Sequence, residues 1–461
     1  MMKKSIIALL LVFIMAFVLF SCAQTDESAV FDVDFEGGYS EITADFGGKQ
    51  FIIIGEEREG RIELNPYETY EDSSWTERLK NRYDEIAKKY NIKFEFTKNS
   101  DGLALSYAAG LHWADMYDAR TDAHWPNITG GLYNTLTYVP GFIDGIEEGK
   151  WGPINIVEAY KRGDDYYLFY PGFHGIPFPQ MGGVFYANLT VLRQFGFDIF
   201  EIIESGNWTW NTFKDMLITI GGIPNDPDSV FGMYYQTSFP DYFLTTLILN
   251  NGGSLVKTDE DGRLLNNLNS KEVQEAIQFA QDLLNEGVVA MQNNDLKYPT
   301  FIENRLAFIY EYSYVGTVDV SGNGFMYNDV DFAIIPCPAG PSAKYGEWRS
   351  YFGYADRMIA IPLTADMDIV NAILSDFYSP LGDDPFEWRD VYARQNFLHE
   401  ESANYYFKMF DNALPDYFAA VRGNYQWEPL LRGSRTATEV YEKTNDSIQH
   451  ALDTYYNAFN N

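Results

Sequence analysis

Short apolar runs alternate along the chain with longer stretches in which apolar residues recur every three or four positions, the grammar of strands feeding helices. Phe51-Ile52-Ile53-Ile54-Gly55 is an unbroken, mostly β-branched run closed by glycine, the pattern of a strand buried on both faces. Trp75, Leu79, Tyr83, Ile86 and Tyr90 follow at helical spacing, and Ile92, Phe94 and Phe96 then alternate with polar residues. Strand, helix and strand on this scale form a βαβ unit and place the chain in the α/β class.

The middle of the chain repeats this grammar. Val184-Phe185-Tyr186 is strand-like, and Thr209 is positioned to cap a helix carrying Trp210, Phe213, Met216 and Leu217. Asn269 or Ser270 caps a second helix, with Val273, Ala276, Ile277, Ala280, Leu283 and Leu284 on one face and Gly287 as its stop. Between these helices, Asp259-Glu260-Asp261-Gly262 marks a hairpin turn. It lacks the spaced ligands and closing glutamate of a calcium loop.

The N-terminus follows a different rule. Lys3 and Lys4 precede the apolar run Ile6 to Phe20, which is too short and too abruptly ended for a membrane span but suits the core of an export signal. Leu19-Phe20-Ser21-Cys22 resembles the lipobox of bacterial lipoproteins, although Phe20 is bulkier than is usual there. The resemblance implies a signal peptide over 1–21, a lipid on Cys22 and anchorage to the outer face of the cell membrane. Residues 22–48, rich in Asp, Glu, Ser, Thr and Gly, read as a tether.

With 461 residues, two lobes are expected, and 46% apolar content supplies their cores. Aromatic residues reach 17%, including 34 tyrosines and nine tryptophans; the surplus either fills cores or lines a face for flat ligands. Sixty-six acids against 33 bases give a net charge of −33, which excludes nucleic acid and anionic membranes as partners and disfavours an anionic ligand. The two cysteines, Cys22 and Cys337, make no disulfide framework, and the five histidines are too scattered for a metal site. No phosphate loop, nucleophile elbow or zinc motif occurs, so no cofactor and no catalytic group is expected.

Four segments together resemble the solute-binding proteins of ABC importers, the maltose-binding-protein-like group. Val184-Phe185-Tyr186-Ala187-Asn188, followed by Phe195-Gly196-Phe197-Asp198 and Thr209-Trp210-Asn211-Thr212-Phe213, is similar to one family stretch. Leu249-Asn250-Asn251-Gly252-Gly253-Ser254-Leu255 is similar to a second, and Phe301-Ile302-Glu303-Asn304-Arg305-Leu306-Ala307-Phe308 to a third, with Asn304 in place of the usual glycine. Asp331-Phe332-Ala333-Ile334-Ile335-Pro336 resembles the strand that follows.

The resemblance implies a two-lobed, periplasmic-binding-protein-like α/β fold with the ligand in the cleft. Its first lobe is expected over 49–187 plus about 355–410 and its second over 188–354 plus about 411–461. Crossings are placed near Tyr186 to Asn188, near Phe352 to Arg357 and around residue 410. Counting from the motifs, Tyr242 and Tyr314 fall where the family places stacking aromatics. Asp118, Asp122 and Trp125 are expected on a cleft-facing loop after the Asp115-Met116 strand end. Tyr351 and Tyr354 flank the second crossing, and Trp427 offers a further platform. Trp208 and Trp210 are assigned to packing. The implied activity is capture of a mono- or oligosaccharide by a monomer that docks on a transmembrane permease. A peptide or other solute as ligand, and an exported carbohydrate-active enzyme using two carboxylates, are the alternatives.

Overall fold

The computed structural model describes residues 29–30, 44–55, 57–58, 61–62, 64–68, 74–98, 102–175, 181–236, 240–260, 262–316, 324–352, 356–415 and 425–460. Cys22, the lipobox and Tyr354 lie outside the described residues.

The first sheet is built from β1 (Ala29–Val30), β2 (Lys49–Gly55), β3 (Ile92–Thr97), β4 (Met116–Arg120) and β5 (Leu168–Phe169). A sixth strand comes from far along the chain, so the order is β1-β3-β2-β4, then Arg357–Ala360, then β5. β2 runs parallel to both β3 and β4. Helix α1 (Ser74–Tyr90) crosses between β2 and β3, as the spacing of its apolar residues predicts; Trp75, Leu79, Tyr83, Ile86 and Tyr90 are all buried. The core beneath is aromatic, with Tyr83 meeting Phe94 edge-on at 4.8 Å and Phe377 at 4.7 Å. β1 falls inside the expected tether and pairs with β3, so that part of 22–48 adds to the sheet edge.

After α2 (Thr121–Thr129), the chain enters a second sheet at β6 (Gly183–Asn188). Residues 183–187, expected in the first lobe, therefore belong to the second sheet, and the crossing lies between Phe169 and Gly183. Then follow α3 (Ile199–Glu204), α4 (Trp210–Ile220), β7 (Phe231–Gln236), α5 (Pro240–Leu249) and α6 (Lys271–Asn285). β8 (Val289–Gln292), α7 (Asn294–Ile302), β9 (Leu306–Tyr312) and β10 (Phe332–Ile335) complete the lobe's frame. The sheet order is β8-β7-β9-β6-β10, parallel from β8 to β9 and antiparallel across β6. The hairpin predicted around Gly262 joins Val256–Thr258 to Leu264–Asn266. Thr209 caps α4 by accepting the Thr212 amide, and Trp210 stacks on Phe279 with centroids 4.5 Å apart. Asn304 sits at φ 56°, in the left-handed region that asparagine tolerates better than most side chains, which is how it stands in for glycine.

β11 (Tyr351–Phe352) leads back to the first sheet, where β12 (Arg357–Ala360) lies between β4 and β5. Helix α8 (Met367–Phe377) packs on α1. The chain then returns through α9 (Glu387–Asn396) to α10 (Glu400–Asp411), which lies on β10, where the Ser402 hydroxyl accepts the Ile334 amide at 3.0 Å. This return precedes residue 400 and not residue 410, so α10 belongs with the second sheet. β13 (Leu414–Pro415) runs parallel to β11. α11 (Trp427–Leu431) packs against α5 and α6, and α12 (Ala437–Asn460) reaches back to α2.

Candidate ligand-binding cleft

The positions of the crossings decide which sheet edges face each other. Gly183, the first residue of β6, pairs with Tyr312, the last of β9, so this edge of the second sheet is where the chain enters it. In the first sheet, Arg357 opens β12 opposite Arg120 at the end of β4, and Gly55 ends β2 beside Asp118. Both edges gather the carboxyl ends of parallel strands, the side on which open α/β sheets hold ligands.

On the second-lobe edge four tyrosines form a continuous run. Tyr351 stacks on Tyr242 (5.6 Å, 24°), Tyr242 meets Tyr312 edge-on (5.6 Å, 67°), and Tyr312 stacks on Tyr314 (5.7 Å, 18°). Tyr351 and Tyr242 are buried; Tyr312 and Tyr314 are half-buried and supply the accessible end. The structure thus brings together three predicted residues through one that the sequence reading missed. Tyr312 was signalled by alternation, since Phe308, Tyr310, Tyr312 and Tyr314 occupy every second position.

The run is held from behind by buried phenols. Tyr310 donates to the Tyr242 carbonyl at 2.7 Å and lies 2.7 Å from the Thr246 hydroxyl, fixing α5 to β9. Tyr186 lies 2.9 and 2.8 Å from the carbonyls of Tyr312 and Ser313 and accepts the Gly316 amide at 3.1 Å. Burial raises the Tyr310, Tyr351 and Tyr186 hydroxyls well above the ordinary phenol range, so all three stay neutral. Gly182 and Gly183 permit this packing. A Cβ on Gly182 would lie 2.1 Å from the Tyr351 ring, and one on Gly183 would lie 1.5 Å from Tyr310 Oη.

Beneath β9 lies a buried charge pair. Glu311 accepts from Lys297 and, at 3.0 Å, from the Tyr298 hydroxyl; its other oxygen accepts the Tyr312 amide at 3.0 Å. Burial pulls the Lys297 ammonium below its ordinary range, and Glu311 opposes that pull. The strand end that carries Tyr312 and Tyr314 is therefore pinned on both faces.

The first-lobe residues take other places than expected. Asp118 is in β4, not on a loop, and is fully buried with both oxygens on the Arg357 guanidinium. Asp122 and Trp125 lie in α2: Asp122 accepts from Arg120 at 3.1 Å, and Trp125 tilts against Tyr160 at 5.0 Å. None of the three joins the tyrosine run. Trp427, on α11, is buried against Tyr425 at 4.9 Å. Trp208 and Trp210 are core residues, as expected, and Cys337 is a buried thiol whose pKa burial raises. Among the described residues no cluster of His, Cys, Asp or Glu could hold a metal ion, and no helix is long and apolar enough to cross a membrane.

Comparison of the whole structure with solved ones gives the architecture its place. T. maritima MalE3 bound to maltose is 16% identical, with a TM-score of 0.53 over 87% of this chain and 100% of that one. The fold is that of the two-lobed periplasmic binding proteins. The GacH receptor of Streptomyces glaucescens, solved unliganded and with acarbose, gives 14% identity and 0.55 over 88% of this chain and 99% of that one. The sugar-binding protein MalE of Xanthomonas citri gives 10% and 0.56 over 88% and 98%. No family model and no curated protein matches the sequence.

Proposed function

We propose that this protein is a lipid-anchored solute-binding protein on the outer face of the cell membrane, capturing a neutral carbohydrate between its lobes for an ABC importer. The observation that carries the reading is the tyrosine run at the edge where the chain enters the second sheet. Its half-buried end offers flat apolar faces to sugar C–H surfaces and hydroxyls to sugar oxygens, and the net charge of −33 disfavours an anionic solute. One stacked ring contributes roughly 0.5–1.5 kcal/mol by analogy with aromatic pairs, so several rings and hydrogen bonds together are required for the ~8 kcal/mol of micromolar binding.

The process is binding without chemistry. Contacts from both lobes favour a closed state, and closure is a rotation about the connecting segments. Asp118 is saturated by Arg357, which leaves it poorly suited to act as an acid or base.

The test is a thermal-shift screen of residues 23–461 against mono- and oligosaccharides, peptides and polyamines, with recovery of each hit. A rise in melting temperature with one sugar class, and the sugar recovered intact, is the expected result. A shift with peptides alone overturns the ligand class, and conversion of a hit to products overturns the reading altogether.

A further inference from the structure

Away from the tyrosine run, a groove of about 700 Å³ opens on the second lobe between the end of α3, the segment 345–348 and helices α9 and α10. On α10 the groove takes Glu401, Asn404, Tyr405, Phe407, Lys408 and Asp411, and Tyr405 is at the same time one of the buried residues of that helix. The groove shares no residue with the tyrosine run.

Its lining combines three kinds of group. Trp348 and Tyr405 meet edge-on at 5.1 Å, with Tyr345 6.1 Å from Trp348, so the three rings form one aromatic cluster in the groove wall. Glu204 and Glu401 supply carboxylates to the lining; burial, and then these two charges, push the Tyr405 hydroxyl up to about 12. Trp348 Nε1, Tyr405 Oη and Arg389 Nε are buried polar atoms without a hydrogen-bond partner among the described residues, and all three can donate. Trp348 and Tyr405 are each only 6% exposed.

Charge narrows the occupant. Arg389 is committed to Asp411 through two bonds of 2.8 and 2.7 Å. That leaves Glu204 and Glu401 against Lys408, whose ammonium lies 5.4 Å from the Trp348 ring centre. Such a mixture gives an anion no net attraction and sets an ammonium in the way of a cation. Aromatic faces, spare donors and carboxylate acceptors together suit a neutral polyol.

We infer that this groove is an accessory carbohydrate site, separate from the cleft, that holds a sugar ring against Trp348 and Tyr405 with Glu401 and Asn404 accepting or donating at its hydroxyls. The inference goes beyond the proposed cleft and does not need it, since the groove's lining alone selects the ligand class.

The experiment is fluorine NMR of the 5-fluorotryptophan-labelled protein, with the Trp348 line assigned from Trp348→Phe. Maltoheptaose, cellohexaose and spermidine are each titrated to 20 mM into the parent and into Tyr312→Ala. The expected result is a saturable shift of the Trp348 line with at least one of the two saccharides, equal in both proteins and weakened at least tenfold in affinity by Glu401→Gln or Asn404→Ala. A Trp348 line that stays still, that moves only with spermidine, that ignores both groove substitutions, or that stops moving in Tyr312→Ala overturns the inference. Failure of the cleft proposal shows separately, as absence of any saccharide-induced change that Tyr312→Ala removes.

Discussion

Replacing Lys297 with methionine removes the only cation bonded to Glu311 among the described residues while nearly keeping the volume. The two side chains are 0% and 4% exposed, so water cannot take the ammonium's place. Losing one member of such a pair costs about 3–5 kcal/mol, most of it the penalty of a lone buried charge. Urea unfolding of Lys297→Met and parent at pH 7 should show that loss of about 3–5 kcal/mol. Lys297→Met/Glu311→Gln keeps an acceptor for Tyr298 and the Tyr312 amide without the charge, and should lie within about 1 kcal/mol of the parent. A loss below ~1 kcal/mol in the single variant, or a double variant that loses as much as the single, refutes the reasoning.

Tyr312→Ala should weaken the ligand found in the thermal screen by about 5- to 30-fold, a loss of ~1–2 kcal/mol, by calorimetry. Tyr138→Ala, at a residue 79% exposed, should leave that affinity unchanged. Gly183→Ala drives a Cβ into Tyr310 and should cost more than about 3 kcal/mol; a double variant with Tyr310→Ala should lose less than the sum of the singles, and additivity would count against the contact. His124 and His174 are buried and held neutral, at about 4 and about 3, mainly by burial. Both folded values lie below the unfolded ~6.5, so stability is full above that value and drains as pH falls, by about 2 kcal/mol per histidine at pH 5. His124→Asn should shrink the difference in unfolding free energy between pH 8 and pH 5 by that amount; an unchanged difference would place the charging elsewhere.

The secondary elements were legible wherever local pattern and tertiary demand agree. The β2–α1–β3 unit, the cap at Thr209, the α6 stripe and the hairpin at Gly262 each follow from spacing and turn chemistry. Asp118, Asp122 and Trp125 were misplaced because Asp115-Met116 reads as a strand end, whereas the strand runs from Met116 to Arg120 and α2 follows it directly. Aspartate is a poor strand residue, yet Asp118 is tolerated within β4 because Arg357 neutralises it from 239 positions away. Proline marks a helix boundary, yet Pro126 lies within α2. The first crossing was placed a strand too late because β6 is buried along its whole length, and such a run looks the same in either lobe. Tyr242 and Tyr314 were named by position relative to motifs, while Tyr312 had only the alternation from Phe308 onward to point to it.

The distribution of the proposed site over the lobes carries a mechanical consequence for the proposed function. Tyr242, Tyr312 and Tyr314 belong to second-lobe elements, and Tyr351 stands on the strand leading into the second crossing. Tyr310 and Tyr186 fix the run to its own sheet, so the wall is complete before the lobes move. The opposing edge is also preformed, because Asp118 and Arg357 neutralise each other within the first sheet. Neither wall has to be assembled by ligand, which keeps the ordering cost of binding low. Differential affinity for the closed state must then come from contacts that reach from the tyrosine wall to the first lobe. The arrangement favours a ligand long enough to touch both walls over one that the tyrosines hold alone, and a single stacked ring would bind the open form nearly as well as the closed.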